Sequence, residues 1–277
     1  MKPSFAALVR LGALAAASLL CATCALAQAS ALEDFAAEIA KEVKTLKPHR
    51  VAVADLRSVS GGNIPQGHYF AVILSNYLQE RADTKISVTN HNSFDSDLAN
   101  LHISSESLVP GQAFPSVASS MNVDILVTGT FEQREKTFDL QATPIRLVDG
   151  KVLATRSRTI VSNPFLESLI TPFPPDIQNA ARGNYRKGAG MPSCAYCPDP
   201  SYSDLGRSKK IQGNCVVEVL ISADGNPQQI RPLRLLGYGL DEQAFETIKK
   251  WKFRPATRED GIPVPVIVPV EVSFRLF

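Results

Sequence analysis

The residues most able to do chemistry are few and unevenly placed. Cys194-x-x-Cys197, with Cys215 further on, suits a redox pair, a metal site or a structural disulfide. Covalent haem attachment needs a histidine after the second cysteine, and Pro198 stands there. Zinc held by these three thiols needs a fourth ligand. All four histidines, His49, His68, His91 and His102, lie in the first half of the chain. An oxidising compartment favours disulfides. One arrangement joins Cys215 to Cys194 or Cys197, leaving the odd thiol free or bridging two chains. Ser60-Gly61-Gly62 lacks the lysine and spacing of a phosphate-binding loop and reads as a turn. Asp55 ends a strand pattern, but no motif places an acid or histidine beside it, so it reads as a solvated strand end. No G-x-S-x-G or H-E-x-x-H pattern occurs. No residue is assigned a catalytic role, and no metal or cofactor is expected.

Composition agrees with a globular protein. The chain has 277 residues, 44% hydrophobic and 20% charged, with formal net charge +2. Such values exclude collagen, coiled coil and wholesale disorder, and give no reason to expect a nucleic-acid partner. Lys2 and Arg10 precede an uncharged run from Leu11 to Ala27 that ends Ala25-Leu26-Ala27. That is a signal-peptide pattern over residues 1–27, cleaved after Ala27, with an uncleaved inner-membrane anchor as the rival. The expected location is the periplasm, soluble if cleaved and anchored if not.

The elements that must position these residues fall into two domains. Over 32–162, Leu32, Phe35, Ala36, Ile39, Ala40, Val43 and Leu46 recur at helical spacing, and Pro48 stops that helix. Strands are predicted at Val51–Leu56, Ile86–Val88 and Val123–Phe131, and a helix from Gly67 to Arg81. Asp149-Gly150 then marks a closing hairpin. Strands alternating with helices predict a layered α/β domain. Residues 163–192, rich in proline and glycine, read as a linker without regular structure. Over 193–277 the pattern predicts a hairpin about Asp224-Gly225, a helix with Leu240, Ala244, Phe245 and Ile248 on one face, and a long final strand. Val264, Val266, Val268, Val270, Val272, Phe274 and Leu276 share one face of that strand, as in an antiparallel sheet covered by a helix. Pro265 and Pro269 remove donors from one edge, which argues that this edge is open, and Glu271, Ser273 and Arg275 share it.

Two resemblances follow from these motifs. VAVADL, LSNYLQER, VDILVTGTF and LVDGKVL make the first domain similar to the CsgG/FlgO and TolB N-terminal group of bacterial envelope proteins. Pro200-Ser-Tyr202, GNCVVEVLISADGNP, LGYGLDEQAFETIKKWKFRPA and the run from Gly261 to Phe277 resemble the C-terminal domain of TonB-type energy transducers. The second resemblance implies a small α+β fold, a three-stranded antiparallel sheet with helices on one face. It also implies binding of the TonB box, a short peptide of a TonB-dependent outer-membrane transporter, as a strand added beside the last one. Tyr202, Glu271, Ser273 and Arg275 are the implied partner-binding residues, although Ser203 stands where the family usually has proline. An inner-membrane proton-motor complex is the further partner that the resemblance implies. The alternative is an envelope-assembly protein in which the α/β domain acts and the TonB-like domain only docks it.

Overall fold

The computed structural model describes residues 31–45, 49–61, 65–83, 86–104, 107–169, 173, 175 and 190–276. The expected signal segment and most of 170–189 lie outside the described residues.

Helix α1 (31–43) buries the predicted stripe Leu32, Phe35, Ala36, Ile39, Ala40 and Val43. Strand β1 (His49–Val53) runs parallel to β3 (Ile86–Val88) and β4 (Ile125–Gln133). The short β2 (Arg57–Ser58) pairs with the far end of β4. Antiparallel β5 (Thr137–Arg146) and β6 (Arg156–Val161) complete the order β3-β1-β4-β5-β6. Alternate residues of a strand face opposite sides of the sheet. Val51 and Val53 accordingly join α1 and α2 (Pro65–Glu80) in one apolar cluster. Ala52 and Ala54 join Phe94 and Leu98 of α3 (His91–Asn100) and Val117 of α4 (Pro115–Met121) in another. The first domain is therefore a three-layer α/β unit, as the pattern predicts. Helix α3 was not foreseen; only Phe94 and Leu98 give it an apolar spacing, while the Asn90 side chain caps it by accepting from the Asn92 and Ser93 N–H groups.

In the C-terminal domain, the edge strand β13 (Val266–Phe274), the central β8 (Gly213–Ile221) and β9 (Pro227–Arg234) form the antiparallel sheet β13-β8-β9. Cys215, Val217, Val219 and Ile221 of β8 are buried with Leu240, Ala244, Phe245 and Ile248 of helix α7 (Leu240–Ile248). A short helix α6 (Asp204–Ser208) starts at Ser203, whose hydroxyl accepts from Gly206 N–H and donates to the Tyr238 carbonyl. Serine at that position thus supplies a helix cap that proline cannot. Two small strand pairs border the sheet: β7 (Ser193–Tyr196) with β10 (Lys252–Arg254), and β11 (Ala256–Thr257) with β12 (Pro263–Val264).

Helix α2 explains how the two domains meet. Tyr69, Phe70, Val72, Ile73, Leu74, Tyr77 and Leu78 wrap apolar surface round most of its circumference. A helix of that kind must be covered on both sides. Phe70 packs edge-on to Phe131 and Phe138 of the sheet. On the other side Tyr69 meets Phe165, and Tyr77 meets Tyr238. Phe165 belongs to α5 (Pro164–Ser168), and its ring lies 5.6 Å from that of Phe245. The start of the expected linker is therefore a helix. Asn163 caps it, and Phe165 and Leu166 are buried, which outweighs the local proline. One apolar cluster runs through both domains.

Candidate functional site

The edge predicted for partner binding is in place as geometry. Among the described residues, β13 pairs with β8 alone, in unbroken register from Val266↔Ile221 to Phe274↔Gly213. Glu271 and Ser273 lie on this strand with exposed side chains, whereas Arg275 follows its end. The Glu271 carboxylate accepts from the Asn214 amide and faces Arg234 at 3.7 Å. Tyr202 reaches this strand through Phe274. Its ring packs edge-on to Phe274, 5.4 Å between centroids, and its hydroxyl donates to the Ile211 carbonyl.

The cysteine reading needs correction. Cys194 and Cys197 are bonded to each other, on and just after the exposed strand β7. Cys215 is 1% exposed and, among the described residues, keeps a free thiol. It lies with Val217, Val219 and the apolar residues of α7 in one cluster. Burial, with the charge of Asp241, pushes that thiol up to about 12.

The reading of Asp55 is overturned as well. Asp55 is 9% exposed at the exit of β1. His91, 1% exposed, opens α3, and His68 lies on α2. The Asp55 Oδ1 atom is 2.9 Å from His91 Nε2 and 3.2 Å from His68 Nδ1. His68 Nδ1 is also 3.5 Å from Asp95 Oδ2 and 3.3 Å from His91 Nε2. Burial works against the Asp55 charge, but hydrogen bonds and charge from His68 and His91 outweigh it and hold the carboxyl far below its usual range. Burial likewise opposes the His68 charge, but bonds to Asp55 and Asp95 raise it to about 9. Two signals for this cluster were present in the sequence. Asp55 lies at the carboxyl end of a parallel strand, where α/β sheets place ligands. His91 and Asp95 are four apart, one helical turn.

A second set of polar contacts, from buried to half-exposed, holds the domains together. The Tyr69 hydroxyl donates to Glu242 Oε1 at 2.6 Å. Asn76 donates to the Leu236 carbonyl at 2.8 Å, and Lys209 pairs with Glu80 at 2.8 Å. Asp241 accepts from the Leu236 and Gly237 N–H groups, which fixes the loop that touches α2. Burial and the adjacent Glu242 raise Asp241 to about 7, and burial also raises Glu242 against its bond from Tyr69. Among the described residues, no helix is long and apolar enough to cross a membrane.

Comparison with known proteins bears on the C-terminal domain. Residues 198–276 match the family model described as Gram-negative bacterial TonB protein C-terminal. Protein TonB of Vibrio cholerae serotype O1 is 36% identical over 80 residues, 28% of this chain and 32% of that protein. The chain thus spans about a third of that relative's length. Among solved structures, the LpoB C-terminal domain from Salmonella enterica aligns at 12% identity and TM-score 0.36, covering 48% of this chain and 97% of that one. The Pseudomonas aeruginosa TonB C-terminal domain aligns at 20% identity and TM-score 0.27, covering 31% and 86%. The C-terminal domain of this chain therefore carries the sequence pattern of the TonB C-terminal family.

Proposed function

We propose that this chain is an exported envelope protein that binds a TonB-dependent outer-membrane transporter by strand addition at β13. One observation carries the reading: within the residues that match the TonB C-terminal pattern, the last strand is, among the described residues, a sheet edge paired on one side only. Pro269 stands opposite Glu218 and has no N–H to give it. Strand alternation then turns the N–H and carbonyl groups of Glu271 and Ser273 away from β8. An extended transporter peptide takes up those groups, and main-chain hydrogen bonds supply the affinity. The protein acts in this reading as a binding and coupling unit, not as an enzyme. Whether the segment before residue 28 is cleaved decides between a soluble adaptor and an anchored transducer that engages a proton-motor complex.

The test is peptide binding by fluorescence anisotropy, with a TonB-box peptide as probe. Ser273→Pro removes one edge donor and adds a ring; it is expected to lower affinity at least about tenfold, while Ser273→Ala keeps it. Equal binding by Ser273→Pro, in a variant with unchanged circular dichroism, rules out this edge.

The docked arrangement favours a second reading, envelope assembly. The C-terminal domain shares its core with α2, as a domain serving to seat the α/β unit would. Deleting 193–277 separates the two readings. Loss of transporter-dependent uptake supports coupling, and an altered envelope with uptake intact supports assembly.

A further inference from the structure

We propose that Asp55, His68, His91 and Asp95 form a binding site for a divalent transition-metal ion, with zinc the best match. The four ligand atoms lie within 4.8 Å of one another. Four of the six separations, given above, run from 2.9 to 3.5 Å. A tetrahedral zinc ion with N and O ligands at about 2.0–2.2 Å requires edges of about 3.4 Å. The side chains are thus already spaced as a coordination shell.

The proton arrangement of His91 supports this. Its Nδ1 lies 2.7 Å from the Val53 carbonyl oxygen, which only accepts, so Nδ1 carries a hydrogen. In the neutral ring Nε2 is then a bare lone pair, and it points at a carboxylate oxygen. Two acceptors facing each other at 2.9 Å need a proton or a cation between them. The bond from Nδ1–H to a main-chain carbonyl is also the outer-shell contact that fixes the tautomer of a metal-binding histidine.

Position and donor type narrow the ligand. Asp55 and His91 form a buried floor, while His68 and Asp95 have side chains 24% and 35% exposed at the rim, so an ion has a route in. Two imidazoles with two carboxylates suit zinc and its first-row neighbours better than magnesium or calcium, which prefer oxygen alone. The site joins the exit of β1 to the starts of α2 and α3. Those helices also carry Tyr69, Asn76 and Asn92, which bond to Glu242, Leu236 and Leu235 of the C-terminal domain.

The test uses the untagged exported protein, stripped with a chelator and kept oxidised so that Cys194 and Cys197 stay bonded. Calorimetric titration with zinc chloride is expected to give one ion per chain and a rise in melting temperature. Magnesium and calcium chloride at the same concentration give neither. His68→Gln and Asp95→Asn, both at the rim, each lower zinc affinity at least about tenfold, while His49→Gln leaves it unchanged. His91→Gln removes a floor ligand; because it is buried, its folding is checked by circular dichroism and the rim variants stand independently. No stoichiometric zinc binding, or equal binding by wild type and the His68→Gln, Asp95→Asn double variant, overturns the site.

Discussion

Replacing Tyr69 by Phe removes one hydroxyl from the contact between the domains. That hydroxyl is buried and gives its hydrogen to Glu242 Oε1 at 2.6 Å. The other carboxylate oxygen, Oε2, is buried with no hydrogen-bond partner among the described residues. A hydrogen bond to a charged group is worth about 1.5–3 kcal/mol, and one to a neutral group about 0.5–1.5. The cost of Tyr69→Phe therefore depends on the charge of Glu242. Both Glu242 and Asp241 have raised folded values, so the folded chain keeps protons that the unfolded chain has released. Their contribution is most favourable in acid and is lost as pH rises, for Asp241 between the ordinary carboxyl range and about 7. The neighbouring titratable groups are Tyr69 and Tyr77 on α2 and Cys215 on β8, and their own values lie high. They stay neutral across this window. With Glu242 ionised the variant is expected to lose about 2 kcal/mol, and with it protonated about 1 kcal/mol or less, so the loss grows as pH rises. In a cooperative unit of this size a loss of about 2 kcal/mol corresponds to about 4–8 °C in melting temperature. Urea denaturation across a pH series, with m unchanged, measures it. Glu242→Gln should flatten the pH dependence. A loss that shrinks as pH rises, or two separate unfolding transitions of which only one shifts, would refute the reasoning.

The remaining predictions concern the same framework. Phe165→Ala empties the contact with Tyr69 and Phe245 and is expected to cost about 3–5 kcal/mol by urea denaturation. Gly237 has φ +79°, and an added Cβ would sit 2.4 Å from Asn76 Nδ2. Gly237→Ala should therefore destabilise by about 1–3 kcal/mol and expose the domain contact to limited proteolysis. In unreduced protein, alkylation should spare Cys215 in the native state and reach it after denaturation. Peptide mapping should find Cys194 and Cys197 protected throughout. Finally, Tyr69→Phe should leave the affinity for the strand-adding peptide unchanged at pH 5, measured by anisotropy.

Periodicity exposed the parts of the fold that bury a stripe. The α1 stripe and the β8 alternation appear where the pattern puts them; the final strand does so over Val266–Phe274, with Val264 in the separate β12 and Leu276 beyond its end. Pro269 revealed the open edge because proline cannot donate from inside a ladder. What stayed hidden depends on tertiary approach. Asp241 and Glu242 read as acids favouring a helix N-terminus, yet both serve buried contacts that only docking on α2 creates. Asp55, His68 and His91 are separated by 13 and 23 residues, and no local pattern links them. They meet because a parallel sheet gathers its strand exits and following helices at one edge. Helix α5 was masked by Pro164 and the prolines that follow it in the sequence, since the gain from burying Phe165 lies in residues far along the chain.

The sheet order shows why docking and strand addition need not compete. The loop after β9 holds Leu235, Leu236 and Gly237 against α2 and α3. Strand β9 is one edge of the sheet, β13 is the other, and β8 lies between them. Neighbouring strands are about 4.8 Å apart, so β13 lies about 10 Å across the sheet from β9. The main-chain groups on its outer edge face away from β8. An added peptide thus extends the sheet on the side opposite the α2 contact. Pulling on that peptide loads the continuous β13–β8 register, then the β8–β9 ladder, and then the polar contacts at α2. The ladder bonds share such a load along several residues. The polar contacts at α2 are fewer, and the buried carboxyls of Asp241 and Glu242 disfavour the docked arrangement as pH rises. Under tension, the domains should therefore part at α2 more readily at high pH than in acid, read as a lower parting force in single-molecule pulling.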